Sequence, residues 1–220
     1  MKSDRVHVLN ASNSILNTYL KEIRNIETQK DRLRFRKNIE RIGNILAYEI
    51  SKTLDYTQET IQTPLSPTQV ESIQDEMVIM SILRAGIPLQ QGILNYFDHA
   101  DAGFIGAYRK HAQDQSFSIA MDYFTSPAFS ERTIILCDPM LATGKSFISV
   151  LNAFKEINQP KRLILATVIA SRFGIETLLA AHPKLEIWTA AEDPELTEKG
   201  YIVPGLGDAG DLAYGSKEQS

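Results

Sequence analysis

Apolar positions along the chain fall into two kinds of run, one spaced for helices and one for buried strands. Residues 13–26 carry Ile15, Leu16, Tyr19, Leu20, Ile23 and Ile26, a three-and-four spacing that predicts an amphipathic helix. A longer stripe, Ile39, Ile42, Leu46 and Ile50, predicts a second helix from Asp31 to about Leu54. Short runs read as strands: Met77–Leu83 (MVIMSIL), Gly103–Tyr108 (GFIGAY), Phe117–Tyr123, Thr133–Cys137 (TIILC), Arg162–Ala170 (RLILATVIA) and Leu185–Thr189 (LEIWT). Most are continuously apolar, as strands covered on both faces are. Helical segments Ile87–Phe97, Lys145–Ile157 and Phe173–Ala181 lie between them. Strand alternating with helix predicts an α/β domain, a largely parallel twisted sheet flanked by helices. No repeat, low-complexity tract or linker interrupts the pattern, so 1–220 is expected to be a single domain, frayed at Ser216–Ser220.

Composition narrows the function classes. With 220 residues, 43% of them hydrophobic, the chain can bury a substantial core. A formal net charge of −4 and a pI near 5.6 argue against a nucleic-acid partner, while leaving room for a local anion pocket. The single cysteine, Cys137, excludes an internal disulfide and, inside a strand run, reads as an inert core thiol. The N-terminus has no signal-peptide core, and no run approaches the roughly 20 apolar residues of a membrane span. The expectation is a soluble cytoplasmic protein with no membrane partner. His7, His99, His111 and His182 lack metal-ligand spacing. Glu192, Asp193, Glu195 and Glu198 read as a solvated loop. The basic cluster Arg32, Arg34, Arg36 and Lys37 reads either as a solvated helix face or as a basic lid that meets phosphate.

Candidate chemistry concentrates in Thr133–Ser146, TIILCDPMLATGKS. A buried strand ends at Asp138, Pro139 turns the chain, and a helix begins near Lys145. Helix N-termini carry unpaired N–H groups and a positive dipole end, so strand–loop–helix is a phosphate-binding geometry. Thr143 and Ser146 add hydroxyls, and Gly144 permits close backbone approach. The Gly-Lys-Ser end suggests a P-loop, but that motif needs a glycine where this chain has Pro139. The motif fails, which argues against a P-loop NTPase.

The string DPMLATGKS resembles the loop that binds phosphoribosyl pyrophosphate (PRPP) in uracil phosphoribosyltransferases, usually D-P-M-L-A-T-G-G-S. The resemblance implies that Asp138 holds the ribose hydroxyls. It gives Ala142, Thr143, Gly144, Lys145 and Ser146 the 5′-phosphate, with Pro139, Met140 and Leu141 completing the loop. Lys145 departs from the family glycine; its side chain either crowds the loop or adds positive charge. Ser81–Gly86, SILRAG, is similar to the family's P-I-L-R-A-G and assigns pyrophosphate to Arg84, whose planar fork of donors suits it. Arg109, in Tyr108-Arg109 after the strand, resembles another PRPP contact.

Gly200–Gly215, GYIVPGLGDAGDLAYG, resembles the family's hood over the base, spanning roughly 190–215. Five glycines and a proline argue against helix or regular strand there. The resemblance makes backbone at Ile202, Gly207 and Ala209 the readers of uracil, with Asp208 between uracil and PRPP. Leu212 stands where a basic residue is common, and Tyr214-Gly215-Ser216 replaces Phe-Gly-Thr. The likeness runs from about Arg34 to Gly215. It implies a type I phosphoribosyltransferase fold and transfer of the phosphoribosyl group to N1 of uracil, giving UMP and pyrophosphate. It also implies Mg²⁺ bound with PRPP rather than in a protein cage, and a homodimer or higher homo-oligomer. Two alternatives stay open at this point: a non-catalytic PRPP or nucleotide sensor, and a transferase for another base.

Overall fold

The computed structural model describes residues 4–111, 117–157 and 159–216, with side chains described outside 107–122 and 155–157. Strand β1 (Val6–Val8) precedes α1 (Leu16–Arg24) and α2 (Arg32–Ser51). Next come β2 (Tyr56–Gln62), β3 (Pro67–Ile73), β4 (Met77–Ile82), α3 (Ile87–Leu94), β5 (Asp101–His111) and β6 (Phe117–Thr125). The second half runs β7 (Thr133–Cys137), β8 (Met140–Leu141), α4 (Lys145–Ile157), β9 (Arg162–Ser171), α5 (Arg172–Ala181) and β10 (Glu186–Asp193). Last are β11 (Glu195–Leu196), β12 (Ile202–Val203) and α6 (Ala209–Tyr214).

The main sheet has the order β1-β10-β9-β7-β4-β5-β6. Every pair along it is parallel except β5 with β6, so the expected largely parallel α/β fold is what forms. The continuous apolar runs divide by parity between two cores. Ile79, Ile135, Ile164 and Trp188 face α1, α2 and α3, where Leu16, Ile23, Ile39, Ile42, Leu46 and Ile50 are buried. Val78, Met80, Ile134, Leu136 and Ile187 face α4 and α5, meeting Phe147, Val150, Phe154 and Leu178. A strand in this sheet is apolar at every position because both its faces are interior.

The hairpin β2–β3 lies outside the sheet and was not legible in the sequence. Its strands are largely exposed, and Leu65 at the turn is 96% exposed. With neither face buried, it carries no apolar alternation to read. The predicted strand at Gly103–Tyr108 is longer than expected, so Arg109 lies within β5, opposite Ile119, rather than after it. Residues 217–220 of the expected frayed tail lie outside the described residues.

Asp31 caps α2, its carboxylate accepting the Arg34 N–H at 3.0 Å. The basic cluster on α2 separates into two roles. Arg34 donates to Glu22 at 2.9 and 2.6 Å, and Lys37 pairs with Glu40 at 2.7 Å. Those hydrogen bonds, from Arg34 first and Asn38 second, hold the Glu22 carboxyl down at about 2. Arg36 instead reaches the C-terminal segment, described below. A helix with eight buried residues is a packed element, not a lid.

Among the described residues no three His, Cys, Asp or Glu side chains are placed to hold a metal ion together. His7 stacks on Trp188, its cross-strand partner, with ring centroids 3.8 Å apart. His182 is buried at the end of α5, and the side chain of His111 lies outside the described residues. Among the described residues no helix is long and apolar enough to cross a membrane.

Cys137 is fully buried, and burial, assisted by the neighbouring Asp138 charge, pushes its thiol well above the usual range. The thiolate is the reactive form. A disulfide-exchange reagent at pH 8 should therefore leave Cys137 unmodified in native protein and label it fully in denaturant. Stoichiometric labelling of the native protein within minutes would contradict this placement.

Candidate active site

Parallel β4 and β7 are neighbours, with Ser81 opposite Cys137. From β4 the chain proceeds outward to β5 on one side; from β7 it proceeds to β9 and β10 on the other. The space beyond their carboxyl ends is a topological switch point, where open α/β sheets bind ligands. Two of the sequence motifs leave the sheet there: the 83–86 turn after β4 and the 138–146 loop after β7. The Leu83–Arg84 peptide is cis.

These turns touch at Gly86. A Cβ at that position would lie 2.4 Å from the Cys137 carbonyl oxygen and 2.7 Å from the Ser81 hydroxyl. Only a residue without a side chain lets the two loops stand this close.

The 138–146 loop is fastened on its outer side. The Asp138 carboxylate accepts the Met140 N–H at 3.1 Å, and the Pro139 carbonyl accepts from Val168 and Ile169. Met140 and Leu141 form β8 against β9. The Ser171 hydroxyl donates to the Ala142 carbonyl at 2.5 Å while capping α5 through the Gly174 N–H. Gly144 has φ +77°, and α4 starts at exposed Lys145. The N–H groups of the first α4 turn have no helical acceptors. With its carbonyls engaged from behind, the loop is left to present these donors to a ligand.

The C-terminal segment closes over both turns. Gly200 lies against the Thr143 methyl, where a Cβ would be 3.3 Å away, and Gly210 lies beside Ala85. β12 pairs with β11, setting Ile202 opposite Leu196, and Ile202 is buried. Gly207 is exposed with φ +96°, Asp208 is exposed, and Ala209 is buried at the start of α6. A short strand and a six-residue helix thus form where glycine and proline content argued against both.

The two aspartates of this segment also have structural roles that the sequence did not reveal. Asp208 is the N-cap of α6, its carboxylate accepting the Asp211 N–H at 2.9 Å. Asp211 faces Arg84 at 3.5 Å. Arg84 further donates to the Gly215 carbonyl at 3.1 Å, and Arg36 donates to the Ala213 carbonyl at 2.6 Å. Burial raises the Tyr214 hydroxyl's pKa, against the lowering influence of Arg36 and Arg84. Leu212, at the family's basic position, packs on the core beneath α6.

Arg84 therefore stands at the switch point with part of its fork engaged and its Nε buried without a partner. The placement of the Arg109 side chain lies outside the described residues.

The solvated-loop reading of the acidic cluster fails at three of its four residues: Glu192 and Asp193 lie in β10 and Glu195 in β11, leaving Glu198 in a turn. Asp193 is not in a solvated loop: it ends β10, is buried, and binds Arg24 at 2.7 and 2.8 Å and the Gly205 N–H at 2.9 Å. Arg24 was not singled out at all. The available signal was position: Asp193, like Asp138, ends an apolar parallel strand at the carboxyl edge.

A family model described as "Uracil phosphoribosyltransferase" matches residues 10–216. A protein of that name from Porphyromonas gingivalis is 45% identical over 210 residues, covering 95% of this chain and 97% of the relative. The chain belongs to the uracil phosphoribosyltransferase family. Another member, from Thermococcus gammatolerans, is 41% identical, covering 91% of this chain and 89% of its own length. A solved structure from Aquifex aeolicus superposes with a TM-score of 0.83 at 27% identity, covering 96% of this chain and 98% of that one. An adenine phosphoribosyl transferase from Trypanosoma brucei shares the fold, with a TM-score of 0.57 at 10% identity, covering 94% and 90%. The match to uracil phosphoribosyltransferases begins well before Arg34, so α1 and Arg24 belong to the shared domain.

Gly86→Ala tests the contact on which this site rests. Forcing a methyl against the Cys137 carbonyl should cost ~1–3 kcal/mol of stability, as overpacking does. The expected readout is a lowered urea midpoint with unchanged m-value. An unaltered midpoint would show that the two turns are not in contact.

Proposed function

We propose that this protein transfers the 5-phosphoribosyl group of PRPP to N1 of uracil, releasing pyrophosphate and forming UMP. The observation that carries the reading is the meeting of three segments at one switch point: the Arg84 turn, the Asp138–Ser146 loop and the glycine-rich hood. In this reaction the C1–pyrophosphate bond breaks and the C1–N1 bond forms. Positive charge grows on the ribose ring and negative charge on the leaving group. The protein needs placement and charge stabilisation more than a nucleophile.

Asp138 would accept from the ribose hydroxyls; its Met140 bond fixes the carboxylate at the strand end. The backbone of 142–146 and the α4 N-terminus suit a 5′-phosphate. Arg84, with an unpaired buried Nε, suits the pyrophosphate; a buried donor without a partner is the kind of group a ligand satisfies. Arg109 is assigned the same anion on the family likeness alone. Mg²⁺ prefers oxygen ligands and retains waters. With no carboxylate cluster among the described residues, it would enter on PRPP's own oxygens, with Asp138 or Asp208 at most adding one carboxylate. There it would neutralise the leaving group.

Uracil offers an N3–H donor flanked by two carbonyl acceptors. Backbone groups at Ile202, Gly207 and Ala209 can match that pattern, with Asp208 on the PRPP side. Cytosine reverses two of the three groups and would leave buried partners unpaired, at ~1–3 kcal/mol each. A sensor without catalysis, the alternative that Lys145 and Leu212 would favour as departures from the family pattern, is not favoured: Leu212 has a packing role.

The deciding experiment supplies PRPP and Mg²⁺ with a panel of bases. UMP should form readily from uracil, with CMP from cytosine and orotidylate from orotate slower by at least tenfold. PRPP-induced thermal stabilisation with no nucleotide product would identify a sensor; faster turnover of another base would redirect the assignment.

Arg84→Ala should lower kcat by ~10²–10³, the loss seen when a transition-state donor is removed. Wild-type turnover at saturating substrates would remove Arg84 from the site.

A further inference from the structure

The base-reading segment is held at Gly205 by two side chains, Arg24 and Asp193, that belong to none of the sequence motifs. Its turn runs through Gly205, where φ is +59° and a Cβ would lie 2.1 Å from the Ile202 carbonyl oxygen. Both polar groups of this residue are gripped by one ion pair. Arg24, at the end of α1, donates through Nη1 to the Gly205 carbonyl at 2.9 Å. Asp193, at the end of β10, accepts the Gly205 N–H at 2.9 Å. The two side chains meet in a fork, at 2.7 and 2.8 Å, with exposures of 23% for Arg24 and 6% for Asp193. With its amide turned to satisfy both carbonyls, Gln29 adds a further tie, lying 2.9 Å from the Ile23 oxygen and 3.0 Å from the Leu206 oxygen. Beneath these contacts Leu16, Leu20 and Ile23 of α1 share one core with Ile202, Leu206 and Ala209.

We infer that Arg24 and Asp193 are positioning residues for the base site: their buried ion pair fixes the peptide groups at Gly205, and through them the 206–209 backbone that reads uracil. The inference rests on the uracil reading above. A planar guanidinium–carboxylate fork has few low-energy geometries, so it sets orientation as well as distance. Gly207 begins two residues further on. Its left-handed conformation is inherited from a chain direction set at Gly205 and closed at Asp208, the α6 cap. Neither Arg24 nor Asp193 needs to touch uracil. Without the fork, the turn keeps the Gln29 tie at Leu206 and its apolar contacts, and the latter resist sliding poorly because they are non-directional.

The test is steady-state kinetics of Asp193→Asn and Arg24→Lys beside wild type, with each substrate varied at saturating levels of the other. Asp193→Asn keeps the shape and removes the charge; Arg24→Lys keeps the charge and removes the fork. The KM for uracil should rise about tenfold or more, because small misplacements of positioned groups cost one to two orders of magnitude. The KM for PRPP should change less than about threefold on the same reasoning, since the PRPP loop is fastened separately. Arg24→Lys, the milder change, should show the same direction if Asp193→Asn proves insoluble. A purely structural pair would lower the amount of active enzyme, reducing apparent kcat with both KM values unchanged; that result overturns the inference. So does an equal rise in both KM values. A wild type that makes no UMP overturns the uracil reading itself, and the inference falls with it; a wild type that makes UMP leaves the variants to decide.

Discussion

Adjacent parallel strands β4 and β7 end at the same edge of the sheet, and the chain departs from them in opposite directions. That divergence opens a space no side chain needs to fill, bordered by two loops whose backbones nearly touch at Gly86 and the Cys137 carbonyl. The helix that follows β7 begins in that space. Its unpaired N–H groups face a site where an anion is favoured by geometry before any charged side chain is counted. Moving either strand by one register position would withdraw one loop from the other. The two apolar cores hold that register, because each strand's alternate residues are committed to opposite faces.

Around the hood, charged side chains hold backbone in place. Asp193 and Arg24 grip the hood at Gly205, Arg36 and Arg84 grip its end at Ala213 and Gly215, and Asp208 caps the helix between. The proposed base contacts are then made by peptide groups on a segment with polar ties at both ends. A buried ion pair gains little net stability against its desolvation, but it punishes misalignment strongly. That suits a segment whose hydrogen-bond pattern must match a small planar ring. The surface pairs on α2 are of another kind: Lys37 with Glu40 adds little beyond helix support.

Reading the residues one at a time failed where a side chain's partner was distant in sequence. Asp193 sits among Glu192, Glu195 and Glu198, and composition alone makes all four look solvated. Its partners, Arg24 and Gly205, are 169 and 12 positions away. Asp208, read only as a ligand contact, also caps α6, and Asp211 faces Arg84 from a position 127 residues away. In the opposite direction, Leu212, which departs from the family's basic residue, is a residue of α6 that packs against the core. The hairpin β2–β3 escaped notice because exposed strands carry no burial pattern.

By itself the sequence determined the class of fold and marked one strand–loop–helix as the candidate phosphate site. Both are written locally: burial on two faces makes every strand position apolar, and a strand–loop–helix with Asp138, Thr143 and Gly144 needs only neighbouring residues to be recognised. The family's string motifs extended that reading to a base and a reaction. Tertiary structure alone decided which strands are neighbours, that the 83–86 and 138–146 turns share one opening, and that α1 anchors the hood. Those facts depend on strand order and on pairs such as Arg24 with Asp193, which form only when folding brings remote segments together. Local propensity carries no record of such pairs, since the same arginine on the same helix would look identical in solvent.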